Sequence, residues 1–258
     1  MTIVWAKSLR TALVVGLVVL TSACTVVTRT SEQRTTDEES AADYNARLGA
    51  QYLQRGDFQL ANEKLSKALE QDRDNATAHI AMAQLQFAID QPKVALRHYK
   101  RAVSLEPDNA NNRNAYGVFL CSTGDIEGAE REFEKAAANP FYETPEFALD
   151  NAGVCMLEAG RFDEAEDYLT KAIRRNPKFA NAYLHIAELR YSERRLTVAD
   201  AYLARYHTLN DFSAASLLLG FEIQREGGYQ TEAKQYADLL LNKFPDSNEA
   251  GAYLAQPR

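Results

Sequence analysis

The 258-residue chain has few of the residues that turn a backbone, with 12 glycines and 7 prolines. That scarcity excludes an all-β sandwich or barrel, and it also argues against a low-complexity disordered chain. Four histidines, His79, His98, His185 and His207, fall in no metal-ligand spacing. HExxH, CxxC, G-x-S-x-G and a glycine-rich phosphate loop are all missing. Asp72 and Asp74 open a D-x-D pattern without the glycine and later glutamate of a calcium loop. No catalytic residue, metal, cofactor or small-molecule substrate is expected. Basic residues never run longer than two and the net charge is −7, which excludes a nucleic-acid partner held by a basic patch.

Alanine is abundant, at 40 residues. Hydrophobic residues reach 46%, yet the mean hydropathy is −0.40, so much of the apolar content is small side chains. Alanine is the best helix former, and an all-α chain follows.

The first 23 residues have the layout of a bacterial export signal. Lys7 and Arg10 precede an uncharged stretch from Thr11 to Ala23. That stretch is shorter than the ~20 apolar residues a membrane-spanning helix needs. It ends Leu20-Thr21-Ser22-Ala23-Cys24, which resembles the lipobox of bacterial lipoproteins, although Thr21 stands where that family prefers leucine. The resemblance implies acylation of Cys24 and, with Thr25 following in place of an aspartate, sorting to the periplasmic face of the outer membrane. A conventional signal peptide with an incidental cysteine is the alternative. Residues 24–41 then form the lipidated cysteine and a polar tether, a coil spanning ~20–25 Å.

The remainder repeats itself. Ala61, Ala95, Ala129, Ala165, Ala199 and Ala233 are spaced 34 residues apart, with one step of 36. Twelve residues earlier stand Gly49, Ala83, Gly117, Gly153 and Ala187. In the sixth unit Gly220 is displaced by one, and an extra glycine in Gly227-Gly228 would explain the shift. Pro107, Pro177 and Pro245 close three units, and Pro140 closes a fourth. The pattern resembles the tetratricopeptide repeat (TPR), a solenoid of helix-turn-helix units whose small residues at positions eight and twenty let helices A and B approach closely. Six units fit: 42–75, 76–109, 110–145, 146–179, 180–212 and 213–247. The two-residue insertion falls near Pro140-Phe141-Tyr142. Thr144-Pro145 reads as an N-cap followed by proline at the first helical position. Residues 248–258, with Tyr253 and Leu254, are expected to cap the last unit.

Cys121 and Cys155 lie in the A helices of adjacent units. Export places them in an oxidising compartment, and acylation of Cys24 leaves an even number, so a Cys121–Cys155 disulfide is predicted. Two buried thiols acting as small apolar groups are the alternative.

TPR proteins expose positions two, five, nine, twelve and thirteen of the A helices on a concave face. Here the resemblance assigns Leu53, Ile80, Phe87, Val118, Leu157, Leu184, Tyr191, Leu217 and Phe221 to it. The acids there are Asp43, Asp150, Glu158 and Glu188, and Arg225 is the single base. Ala46 and Ala50 stand where carboxylate-clamping TPRs need cationic and amide side chains. The groove therefore suits an amphipathic helix or an extended apolar segment, unless neighbouring units bury some of these side chains.

TPR units directly behind a lipoprotein signal resemble the PilF/PilW family of type IV pilus biogenesis lipoproteins. The strings Asn114-Ala115-Tyr116-Gly117-Val118-Phe119-Leu120-Cys121 and Ser216-Leu217-Leu218-Leu219-Gly220 carry the resemblance, with the Gly56-Asp57-Phe58 turn. It implies a pilotin that binds secretin subunits and promotes their outer-membrane localisation and multimerisation. The alternative is a TPR lipoprotein scaffolding cell-wall hydrolases or outer-membrane protein assembly.

Overall fold

A computed structural model describes residues 40–256. The signal of residues 1–23, the acylation site Cys24 and the tether up to residue 39 lie outside the described residues. Within them the chain forms thirteen helices and no strand. The A helices are α1 (Ala41–Gln54), α3 (Ala76–Ala88), α5 (Ala110–Ser122), α7 (Pro145–Glu158), α9 (Ala180–Ser192) and α11 (Ala214–Glu226). Their B partners are α2 (Phe58–Gln71), α4 (Pro92–Leu105), α6 (Ile126–Ala138), α8 (Phe162–Arg175), α10 (Leu196–Leu209) and α12 (Gln230–Lys243), and α13 (Asn248–Leu254) ends the array.

Helix starts are set locally. Asn75 and Asn109 accept the Ala78 and Asn112 amides at 2.8 and 3.1 Å, satisfying donors that have no partner within the helix. Ser213 and Ser216 form a reciprocal capping box at the start of α11. Thr144 is the N-cap of α7 but its side chain makes no capping bond; Pro145 alone presets the first turn.

Each three-residue A–B turn places its middle residue in the left-handed region: Gly56, Asp90, Gly124, Gly160, Arg194 and Gly228. Glycine reaches that region without strain, and four units use it. Between the helices, a Cβ on Gly153 would lie 2.6 Å from the Leu169 side chain, so the close approach requires glycine. Leu65, Phe133, Leu169 and Leu203, sixteen residues after position eight, are fully buried against that small residue or nearly so.

The sixth unit keeps the frame but exchanges the pair. Its turn, residues 227–229, is as long as the turn of residues 193–195, so Gly227-Gly228 adds no residue, contrary to the sequence expectation. Position eight is Phe221, and the facing position is the small Ala237; the two pack together with Ala233. Gly220, one residue earlier, abuts Tyr236, where a Cβ would come within 2.6 Å of the ring. The small–large contact has rotated by one residue.

Successive A helices touch along the array, except that α3 and α5 make no comparably close backbone approach. No two successive B helices approach in this way. The A helices thus make the more closely spaced layer. On α13, Ala250 and Tyr253 cover the last unit, while Leu254 stays 60% exposed and takes no part.

Candidate partner-binding face

The candidate face runs along the row of A helices. Neighbouring A helices are tied across it by side chains. Asn75 Nδ2 donates to Asp43 at 2.6 Å, and Asn151 Nδ2 donates to Asn114 at 3.0 Å. His185 Nδ1 and Asp150 Oδ1 are 2.8 Å apart, and the Tyr191 hydroxyl donates to Glu226 at 2.8 Å. Between α3 and α5 aromatic contacts replace such a bond. Phe87 meets Phe119 edge-on at 5.3 Å, and Phe119 lies 4.8 Å from Tyr99 of α4. Large rings span the wider gap.

The cysteine sulfurs of Cys121 and Cys155 are joined, with the Cα atoms 5.9 Å apart, linking α5 to α7. The Glu158 carboxylate lies 3.8 Å from the Cys121 sulfur. In a disulfide that sulfur has no proton to donate, so the contact is not a hydrogen bond.

The nine apolar groove candidates divide. Phe87 and Val118 are 38% and 42% exposed, and Leu53, Ile80, Leu157 and Tyr191 are partly exposed on the same row. Leu184, Leu217 and Phe221 are buried. Leu217 packs against Leu240 and Ala250, and Phe221 meets the Tyr253 ring edge-on at 4.9 Å. The assignment of Leu217 and Phe221 to the groove is corrected by the sixth unit's register. Its A helix starts at Ala214, so positions five and nine are Leu218 and Glu222, and position thirteen is Glu226. Leu184 is in register, but Leu219 and Ile223 of α11 and its own unit cover it.

The missed acids Glu222 and Glu226 change the chemistry of the face. Together with Asp150, Glu158 and Glu188 they make units four to six acidic, whereas positions five, nine, twelve and thirteen of units one to three carry no ionisable group. Burial opposes a charge on His185, but the Asp150 hydrogen bond and the charges of Asp150 and Glu188 outweigh it and raise its pKa. Burial raises the Glu188 carboxyl, and Asp150 adds to the rise against the lowering effect of His185. The Tyr191 hydroxyl and Arg194 hold Glu226 below the usual carboxylate range. Aligning the left-handed turn residue, Gly228 with Gly160, would have set this register from sequence.

Between α6 and α7 the insertion places Phe141 in solvent, 90% exposed, beside a depression of about 600 Å³. Its cations Arg113 and Lys135 both pair with Glu132, at 2.6 and 2.8 Å. Among the described residues no group of three or more His, Cys, Asp or Glu is placed to hold a metal, and no helix is long and apolar enough to cross a membrane.

Comparisons with known proteins agree with this architecture. A tetratricopeptide-repeat family model matches residues 80–143 and 157–214. The type IV pilus assembly protein PilF of Pseudomonas aeruginosa is 30% identical over 218 residues, covering 84% of this chain and 86% of PilF. The crystal structure of PilW, described as a widely conserved type IV pilus biogenesis factor, superposes with a TM-score of 0.73 at 29% identity, over 84% of this chain and all of that one. A solved structure of Pseudomonas aeruginosa PilF gives 0.69 at 30% identity, over 84% and 98%. With that identity sustained along both chains, the protein belongs to the PilF/PilW family of tetratricopeptide-repeat proteins.

Proposed function

We propose that the protein acts in type IV pilus biogenesis as a pilotin: an outer-membrane lipoprotein that binds secretin subunits and promotes their localisation and multimerisation. The observation that carries the role is the similarity to PilF, a type IV pilus assembly protein, over 84% of the chain. The A face supports a protein partner, because Phe87 and Val118 leave apolar surface open beside Leu53 and Ile80. Acylation at Cys24 would supply membrane affinity and residues 25–39 the reach, while the TPR array holds the client.

Deleting the gene is expected to leave secretin as monomers and to abolish twitching motility. Heat-resistant secretin multimers persisting at wild-type level overturn the proposal. Cys24→Ser is expected to block palmitate labelling and release the protein from membranes; unchanged labelling removes the anchor from the scheme. Recovery of peptidoglycan hydrolases in place of secretin on cross-linked pull-down favours the scaffold alternative.

A further inference from the structure

We propose that the A face takes a segment that is apolar at one end and basic at the other, with the apolar end on units one to three and the basic end on units four to six. This rests on the pilotin reading only in taking the A face as the client site. It adds the client's charge and its direction along the array.

The first three units offer Leu53, Ile80, Phe87 and Val118 with no charge at positions five, nine, twelve or thirteen. An apolar stretch covering them removes Phe87 and Val118 from water, and the acid of this half, Asp43 at position two of unit one, already accepts the Asn75 amide at 2.6 Å. The last three units are the reverse. Some of their charge is already matched: Asp150 by His185, Glu226 by Arg194 and Tyr191. Glu158, Glu188 and Glu222 have no cationic side chain within ion-pair distance among the described residues. Glu222 receives only the Gln256 amide, at 3.5 Å. The one base at these positions, Arg225, lies over the Phe221 ring at 5.0 Å and bonds to Gln256. Glu188 is half-buried beside a second carboxylate, so a cation brought by a partner would find a partly desolvated counter-charge. An acidic or neutral segment gains nothing there and adds repulsion. The two halves therefore specify direction as well as composition.

The test uses the full chain and two fluorescent 20-residue peptides. The first joins an amphipathic Leu/Phe/Ala half to a Lys/Ala/Gln half, and the second replaces each lysine by glutamate. Anisotropy is expected to show the lysine peptide binding about tenfold more tightly, with the preference shrinking as salt rises. Combining Glu158→Gln, Glu188→Gln and Glu222→Gln should erase that preference while circular dichroism stays unchanged. Phe87→Asp should weaken both peptides. A spin label on the lysine end should broaden resonances of unit five rather than unit two. Equal affinity, binding to neither peptide, a preference that survives the triple change, or the opposite orientation overturns the proposal. Failure is separable from failure of the pilotin reading. Secretin multimers that need the gene, together with indifference to peptide charge, leave a pilotin without this polarity. A lysine preference with secretin unaffected leaves the polarity and removes the pilotin.

Discussion

Units two and three meet through rings, while units four to six are tied by hydrogen bonds and ion pairs. At the first junction Phe87 reaches Phe119 across helices that do not otherwise approach closely. At the later ones His185–Asp150 and Tyr191–Glu226 hold the A helices at 2.8 Å contacts, and the buried Arg190 of α9 pairs with Glu166 of α8 and with Glu193. Dispersion between rings tolerates small shifts; a hydrogen bond does not. The repeat frame dictates small and large residues between helices A and B and leaves the A face free. Units one to three carry mainly apolar groups on that face, with Asp43 at their start, while units four to six set acids beside Leu157 and Tyr191.

The disulfide sits on the border of these halves, and breaking it should have a large effect. A loop closed over 34 residues contributes about 3–4 kcal/mol through the unfolded chain. Cys121→Ala with Cys155→Ala should lower stability by that amount in urea unfolding. Intact mass after alkylation of the unreduced protein should show no added label; two labels would mean free thiols. A loss below ~1 kcal/mol would mean that the packing of α5 on α7 already fixes the border.

Next comes a comparison of two residues that share an expected role. Leu217 is fully buried and Val118 is 42% exposed. Leu217→Ala should cost about 2–5 kcal/mol and Val118→Ala less than ~1 kcal/mol. Similar costs would contradict the corrected register of the sixth unit.

That register marks how far the sequence could be read. The helix count, the A–B pairing and the position of the turns were legible because each unit repeats a steric demand, as Gly153 against Leu169 does. The face was legible only where the frame was unambiguous. Phe87 and Val118 stand in intact units and emerge exposed. Aligning Gly220 with position eight puts Leu217 and Phe221 on the face, whereas in the folded unit Phe221 holds that position and has exchanged sizes with Ala237. Burial of Leu184 by α11 depends on a neighbouring unit, which no single-unit pattern encodes. The aromatic junction was invisible for the same reason: Phe119 lies at a position that intra-unit spacing does not constrain.

Acidity should act on the two halves with opposite signs: burial, His79 and Arg97 lower the pKa of His98 in unit two, so that unit loses stability as pH falls, whereas His185 acts the other way. His185 has a raised pKa in the folded chain, so its contribution is complete below its unfolded pKa of about 6.5 and fades as pH rises through the folded value. Glu188 acts in the same sense: its raised carboxyl makes the folded state tolerate protonation, and ionisation at higher pH removes that advantage. The other charge facing His185 is Asp150. Protection of the α7 and α9 amides around His185 should therefore be greater at pH 6 than at pH 8, and His185→Gln should flatten the difference. Local amide exchange on α7 and α9 measures it. An equal pH response on α1 and α3 would assign it elsewhere.

The smallest effect compares the two turns that lack glycine. Asp90 has φ 58° and Arg194 φ 62°, in a region where a side chain costs about 1–2 kcal/mol, less for aspartate. Asp90→Gly removes that cost and breaks no side-chain bond, since Asp90 contributes only its backbone amide, donated to Phe87. Glycine also widens the unfolded ensemble, so the net gain should be about 0.5 kcal/mol. Arg194→Gly relieves more strain but strips Glu226 of its cation and adds an unmatched carboxylate to the acidic half. Relief and loss should nearly cancel, leaving Arg194→Gly close to neutral at low salt and stabilising at high salt, where the exposed pair is screened. Denaturant midpoints at two salt concentrations read the contrast. If both variants respond alike, Arg194 does no electrostatic work for its half, and the turns differ by chance rather than by the chemistry of the face they join.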